Sequence, residues 1–428
     1  MSRWLWLVLW IVFVSTKHLV AQSQIILTLK QAEAIAVKAH PRIGAAQFQA
    51  SAAKQLPIQS RSALFPNFYG SFTGALADEN TRIAAGALNN PLILSRLATG
   101  VTLSQLITDF GRTRQLIEAY TSRAEAQEFS AQSTRAQILL LVDRSYFAAL
   151  KSQGLLSVAA ETVKARQLVA DQVTELANSK LKSGLDVSFA NVNLAEAKLL
   201  LAAAQNAVDA AFADLSNALG YQERQAIQLS DEPLPLAPSN EFSPLLALAI
   251  QSRPDLESLR RELNASQSFV KAERALNFPT VGVVGALGVL PTHVDILRSS
   301  YAAIGFNVNI PVFNGHLFSA RQAETELRAQ GMNQELKDLQ NRVAQEVQVA
   351  WLDAKTSYER IDLTRELLQQ ALQALELAQS RYDLGLSSIV ELSQAQLNKT
   401  SAEISNVSAR YDYQIQTAIL NFQTGQLR

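Results

Sequence analysis

Two long stretches of the chain contain no proline. All twelve prolines of the 428-residue sequence lie outside residues 92–232 and 312–428. Because an interior proline costs a helix about 3 kcal/mol, such stretches permit unusually long helices. In the second stretch, apolar residues recur about every 3.5 positions, which is the period of a coiled coil. We predict long helices over residues 112–182 and 316–384, each about 105 Å long, and returning helices over residues 187–219 and 389–423.

The sequence is internally repetitive. Motifs of the first half recur in the second half at offsets of 213, 204 and 201 residues. The matched residues are Pro41 and Pro66 with Pro254 and Pro279, Gly111 with Gly315, and Gly184 with Gly385. A proline cluster between residues 233 and 244 indicates a linker between the copies. We therefore predict two tandem structural repeats, over residues 22–240 and 241–428.

Ahead of each long helix, apolar residues alternate with small or polar ones. This pattern predicts two strands within residues 67–106 and two within residues 281–310, the latter preceded by a helix over residues 254–277. About ten residues of period two fit a transmembrane β-strand, although each strand taken alone fits a soluble hairpin better. The candidates for a lipid-facing band are Phe68, Phe72, Val101, Leu103, Val283, Ile304 and Phe306.

Four strands are too few to close a barrel by themselves. The smallest closed barrels have about eight strands, and an open edge in lipid leaves backbone groups without partners. Three chains supply twelve strands, whereas two would supply eight, which enclose a packed interior rather than an open one. Ring closure would also give each helical column its neighbours. The strand count therefore favours a homotrimer.

The N-terminus and the composition restrict the location of the protein. Arg3, the apolar run over residues 4–14 and the small residues before Gln22 predict a signal peptide over residues 1–21. With no cysteine in the sequence, no lipid anchor is expected. No later stretch has 18 consecutive apolar residues, so a membrane-spanning helix is not predicted. The formal net charge of zero provides no basic field for nucleic acid.

No enzyme chemistry is predicted. The histidines are not at metal-ligand spacing with other ligands, and the chain has no cysteine nucleophile. It also lacks a Gly-x-Ser-x-Gly elbow and a glycine-rich phosphate loop. We therefore expect neither a catalytic residue nor a metal or cofactor.

Several short motifs occur in a characteristic order. They are Leu276-Asn277-Phe278-Pro279 before a strand, Phe110-Gly111-Arg112 and Phe313-Asn314-Gly315 at strand-to-helix junctions, and the segment from Tyr382 to Leu392 at a helical tip. Together they resemble the TolC family of outer-membrane efflux proteins. The resemblance implies a mainly α fold with a membrane β part, in which a trimeric twelve-stranded β-barrel is continued by an α-barrel through the periplasm. It also implies a passive exit duct in outer-membrane lipid, joined through a periplasmic adaptor protein to an inner-membrane transporter.

The turns between long and returning helices are candidate docking points. The segment 384–387 resembles the turn where the family's adaptor docks, and residues 183–186 form its counterpart. The alternative is a glycine that ends one helix before a capped new one. The candidate docking residues are Gly184, Leu185, Leu384, Gly385, Leu386 and Ser387.

Three residues near the second turn are candidates for a periplasmic gate. Glu391 occupies a position where the family often has an acid that narrows the mouth, but Ser388-x-x-Glu391 also fits a capping box. Gln394 stands where a second acid can occur, and Ala190 is expected at the corresponding place in the first repeat. Tyr382 matches a tyrosine that helps to hold the mouth closed, or it is a coiled-coil seam residue. The rival hypothesis for the whole chain is a soluble periplasmic coiled-coil adaptor or scaffold.

Overall fold

The computed structural model describes residues 25–78, 95–225, 227–291 and 298–427. The predicted signal peptide over residues 1–21 lies outside the described residues. The fold is mainly α-helical, as predicted.

Four helices form the body of the protein. Helix α4 (Arg112–Asn178) and helix α8 (Leu317–Asp383) have 67 residues each, which corresponds to about 100 Å. The returning helices α5 (Gly184–Ala218) and α9 (Ile389–Gln423) have 35 residues each. The described residues therefore contain two helical hairpins of matching dimensions.

Shorter helices precede the strands in both halves. They are α1 (Leu29–Ala39), α2 (Pro41–Ala53), α3 (Gln55–Arg61), α6 (Ser243–Ser252) and α7 (Pro254–Arg274). The break between α2 and α3 falls at Lys54, three residues before Pro57. Proline lacks the amide hydrogen and its ring clashes with the preceding turn. Helix α7, which has no internal proline, continues without a break.

The strands form two separate sheets. Strands β1 (Ile25–Leu27) and β4 (Ile227–Leu229) pair in parallel. The other four are antiparallel in the order β2-β3-β5-β6. Their bounds are Asn67–Ala75 for β2, Arg96–Thr108 for β3, Thr280–Val289 for β5 and Ser300–Asn309 for β6.

The strand-to-helix junctions correct one detail of the predicted repeat. Before α4, Phe110 and Gly111 have positive φ angles of 54° and 94°; before α8, Gly315 and His316 have 60° and 67°. The conformational equivalent of Gly111 is therefore His316 and not Gly315. Glycine is the commonest residue in this left-handed region but not the only one, so aligning glycines misplaces the junction by one residue.

The apolar core is divided into clusters along the helical column. The largest joins α1, α4 and α5 around Val142, Tyr146 and Leu215, all of which are fully buried. The Tyr146 hydroxyl donates to the carbonyl oxygens of Leu27 (2.9 Å) and Ser230 (2.6 Å), which fastens the small parallel sheet to α4.

Helix α5 is long and apolar enough to cross a membrane by length and composition alone. The sequence criterion of 18 consecutive apolar residues did not single it out, because its alanines and leucines are interrupted by charged residues such as Glu196 and Lys198. Its residues Leu194, Val208 and Phe212 are buried in the core clusters. The helix is therefore packed as one arm of a hairpin.

The core contains a buried carboxyl group. Asp143 of α4 is only 3% exposed. Burial and the neighbouring carboxyl of Glu33 raise the pKa of Asp143 to about 8. At neutral pH the folded protein therefore keeps Asp143 protonated, whereas the unfolded chain has lost this proton above about pH 4.

This shift predicts a pH-dependent stability. Because the folded state holds a proton that the unfolded state releases, the free energy of unfolding falls as pH rises from about 4 to about 8. Asp143→Asn cannot ionise, so its stability relative to wild type should be greater at pH 9 than at pH 5 by about 4 kcal/mol per chain. Thermal unfolding midpoints at the two pH values provide the measurement. Parallel pH profiles of the two proteins would contradict the assignment.

Candidate functional site

The second hairpin turns in a glycine-terminated motif. Gly385 has a φ of 72°, which favours glycine. The amide of Leu386 donates to the Arg381 carbonyl (2.8 Å) and that of Gly385 to the Tyr382 carbonyl (3.0 Å). This is the Schellman arrangement, which satisfies the last carbonyls of α8. Leu384 and Leu386 are left 74% and 66% exposed at the turn.

The first hairpin turns in the same way but without a glycine. Lys180 takes the left-handed position with a φ of 63°, and the amide of Leu181 donates to the Leu176 carbonyl (2.8 Å). Gly184 is the first residue of α5, after the N-cap Ser183. The match of Gly184 with Gly385 is therefore wrong, and so is the alternative of a helix-ending glycine at Gly184.

The two N-cap serines give the correct alignment of the tips. Ser183 and Ser388 begin the returning helices at an offset of 205 residues (388 − 183). With this offset, the counterpart of Leu386 is Leu181, which is 70% exposed. Leu185 is also exposed (66%), but it lies in the first turn of α5. A search for Ser-x-x-Asp and Ser-x-x-Glu would have found this correspondence in the sequence.

The first tip carries an acid in the position of Glu391. At the offset of 205, the counterpart of Glu391 is Asp186. The offset of 201 from the glycine match would instead give Ala190, which is buried between the hairpins. Asp186 Oδ2 accepts from the Ser183 amide (2.9 Å) and hydroxyl (2.8 Å), and the Asp186 amide donates back to Ser183 Oγ (3.2 Å). These hydrogen bonds to the charged form lower the pKa of Asp186. The first tip thus has a complete capping box.

Glu391 forms only half of the predicted capping box. Its amide donates to Ser388 Oγ (3.4 Å), as the motif requires. Its carboxylate instead forms an ion pair with Arg381, in which Nε lies 3.0 Å from Glu391 Oε1. Farther along α9, the Gln394 amide donates to Asn398 Oδ1 (2.9 Å) and adds no charge.

Tyr382 lies in the contact between the two hairpins. It is 5% exposed and packs in a cluster with Val173, Ile389 and Leu392. The ammonium group of Lys182 lies 4.0 Å from the centre of its ring, a cation–π contact between the tips. Burial raises the pKa of the Tyr382 hydroxyl, and the nearby carboxylates of Asp186 and Asp383 raise it further.

Two buried polar atoms at this tip have no hydrogen-bond partner in the described part of the chain. They are the Tyr382 hydroxyl oxygen and Ser387 Oγ. Ser387 is the last of the candidate docking residues at this turn.

Polar contacts also connect the hairpins farther from the tips. The guanidinium of Arg166 on α4, only 4% exposed, donates to Gln396 Oε1 on α9. Asn193 of α5 donates to Ser393 Oγ of α9 (2.7 Å). Burial lowers the pKa of Arg166. Sequence reasoning missed these residues, although a charged residue at an apolar position of a coiled-coil repeat is a detectable signal.

All seven candidates for the lipid-facing band lie on one face of the four-stranded sheet. Phe68, Leu103, Gly285 and Ile304 are successive partners across the strands, and Val283 pairs with Phe306. Leu103 and Val283 are half-buried, whereas Phe68, Phe72, Val101, Ile304 and Phe306 are exposed. The other face carries small and polar residues such as Ser71, Gly305 and Asn307. The sheet therefore exposes a continuous apolar surface.

Comparisons with known proteins agree with this architecture. The sequence profile of a family described as "Outer membrane efflux protein" matches residues 34–221 and 245–426. The chain is 23% identical to the outer membrane efflux protein BepC of Brucella suis over 334 residues, which cover 77% of this chain and 72% of BepC. It is 24% identical over 301 residues to TtgC of Pseudomonas putida, described as a probable efflux pump outer membrane protein, and this match covers 69% of the chain and 61% of TtgC. The crystal structure of the outer membrane protein VceC from Vibrio cholerae has a similar fold, with a TM-score of 0.80, 18% identity, and coverage of 93% of this chain and 96% of VceC.

Proposed function

Because the chain belongs to the outer membrane efflux protein family, the TolC-type family that its motifs resemble, we propose that it is one protomer of a trimeric outer-membrane duct. The duct is a passive exit of a tripartite efflux or type I secretion system. Its β-barrel lies in the outer membrane, its α-barrel extends through the periplasm, and its entrance is gated at the helical tips.

The exposed sheet carries this proposal. Among the described residues, β2 and β6 each pair with only one strand, which leaves two edges per chain. An open edge cannot be solvated by lipid, and an apolar face of this size is unfavourable in water. Three copies joined edge to edge give twelve strands with the apolar face towards lipid. Closure of the barrel therefore pairs the open strand edges and removes the apolar face from water.

Aromatic residues at the junctions between helices and strands support the same placement. Each of the four junctions has one phenylalanine that is more than half exposed. They are Phe65 (60%), Phe110 (56%), Phe278 (51%) and Phe313 (83%). Aromatic side chains are enriched where a barrel meets the membrane–water interface. These residues mark the periplasmic boundary of the proposed barrel.

The proposal includes the organisation of the chain and its partners. Residues 1–21 are removed as a signal peptide, and residues 22–240 and 241–428 are tandem repeats. An adaptor protein contacts the tips and joins them to an inner-membrane transporter, and no cofactor takes part. BepC is described as an efflux protein and TtgC as part of an efflux pump, which supports an export role.

Reconstitution tests the proposal directly. The mature protein, extracted from outer membranes in detergent, should elute as a trimer and conduct ions in planar lipid bilayers. The rival scaffold would be a soluble periplasmic monomer that forms no pores. Recovery of the protein in the soluble fraction as single chains would contradict the duct.

A further inference from the structure

The guanidinium group of Arg381 holds together the two sides of the second tip. It lies in the last turn of α8, where its Nε is 3.0 Å from Glu391 Oε1 at the start of α9. Its Nη2 also donates to the Leu386 carbonyl in the turn (3.4 Å). The guanidinium group of Arg381 is therefore in direct contact with the carboxylate of Glu391, the candidate gate residue.

This ion pair occurs in one hairpin only. At the offset of 205, the counterpart of Arg381 is Leu176, so Asp186 has no arginine in this position. Asp186 instead binds its own N-cap serine. The Glu391 carboxylate forms an ion pair with Arg381, and the second half of its capping box is not formed. The first tip shows that this chain forms a full box where no such arginine is present.

We propose that Arg381 is a specificity-determining residue that neutralises Glu391 and keeps the periplasmic mouth from selecting cations. The proposal rests on the duct described above, in which Glu391 of three chains faces one entrance. Three unpaired carboxylates around an axis favour cations at a constriction. Three carboxylates that each have a guanidinium at contact distance present almost no net charge, so anionic and neutral cargo meets no repulsive ring.

Neighbouring groups at the tips contribute charges of both signs, because Asp186 and Asp383 carry carboxylates and Lys182 carries an ammonium group that acts on Asp186. Gln394, one turn farther along α9, is uncharged and bonded to Asn398. The ammonium of Lys182 lies over the Tyr382 ring and adds positive charge to the same tip. Asp383 lies on the other side of the turn and accepts from Gln379 (2.9 Å). In the described part of the chain, Arg381 is the cation in contact with the Glu391 carboxylate, so this ion pair sets the charge at that position.

Removing the pair should leave the fold of the tip intact. The side chains of Arg381 and Glu391 are 55% and 46% exposed, and an ion pair this exposed contributes little to stability. The turn keeps its Schellman hydrogen bonds and its N-cap at Ser388. Substitutions here therefore change the charge of the mouth with little change in its structure.

The test measures the reversal potential of reconstituted trimers in a KCl gradient. Arg381→Gln should raise the K⁺ to Cl⁻ permeability ratio about threefold, and Glu391→Gln should lower it by a similar factor. The double variant should return to the wild-type ratio. Arg365→Gln is the matched control, because Arg365 pairs with Asp362 (2.9 Å) on the same helix about 24 Å from the tip, and it should leave the ratio unchanged.

The outcomes separate this inference from the duct itself. If wild-type trimers conduct and Arg381→Gln has the wild-type ratio, Arg381 does not set selectivity, although the duct stands. An equal shift in Arg365→Gln would also overturn the inference, since it would reflect the overall charge of the tunnel. If no preparation conducts, the duct fails and the role of Arg381 fails with it.

Discussion

Ile304→Arg should prevent assembly of the protein in the outer membrane, whereas Gly305→Arg should leave assembly intact. Successive residues of a strand point to opposite faces. Ile304 is 79% exposed on the apolar face of the sheet, and Gly305 lies on the face with small and polar residues. An arginine near the bilayer midplane costs about 2–4 kcal/mol, so three copies cost a trimer about 6–12 kcal/mol.

The two substitutions introduce the same side chain at neighbouring positions. A Cβ added at Gly305 meets no atom within 4 Å, so the control variant is not expected to clash with the sheet. The measurement is the amount of heat-modifiable trimer in the outer-membrane fraction. Normal assembly of Ile304→Arg, or equal loss in both variants, would show that the apolar face does not meet lipid.

The strands and long helices could be predicted because their patterns are local. Proline-free tracts and recurring apolar residues predicted α4 and α8 with only small errors at their ends. These patterns are informative because a proline inside a helix and polar residues at the contact positions of a coiled coil both destabilise the structure. Strict alternation placed all four long strands and the side chains that share a face. The pairing of β3 with β5 joins the two halves of the chain and depends on the whole fold, which no local pattern determines.

The tips could be predicted less well, because their chemistry depends on side-chain choices within a turn. Lys180 occupies a left-handed position that sequence analysis assigned to a glycine, and this error hid Asp186 as the counterpart of Glu391. Ser388-x-x-Glu391 satisfies a capping motif, yet Arg381 competes for the carboxylate across the turn. Such competition between partners becomes visible only once α8 and α9 are placed side by side.

Leu386→Asp is expected to abolish export while leaving the trimer intact. Leu386 is 66% exposed in a turn whose backbone hydrogen bonds do not involve its side chain, so the substitution does not disturb the hairpin. An exposed leucine at the proposed adaptor contact contributes apolar area, and a carboxylate buried there without a partner costs several kcal/mol. Three copies per trimer multiply the loss.

A matched substitution distinguishes docking from a general effect of added charge. Leu236→Asp introduces the same change at a leucine that is 92% exposed in the segment between the halves, and it should export normally. The measurements are export of a substrate from cells and crosslinking of the trimer to its adaptor. Because Leu181 is the conformational counterpart of Leu386, Leu181→Asp should weaken crosslinking if both hairpins meet the adaptor. Full export by Leu386→Asp would remove the tip from the docking surface and leave the duct without its proposed point of attachment.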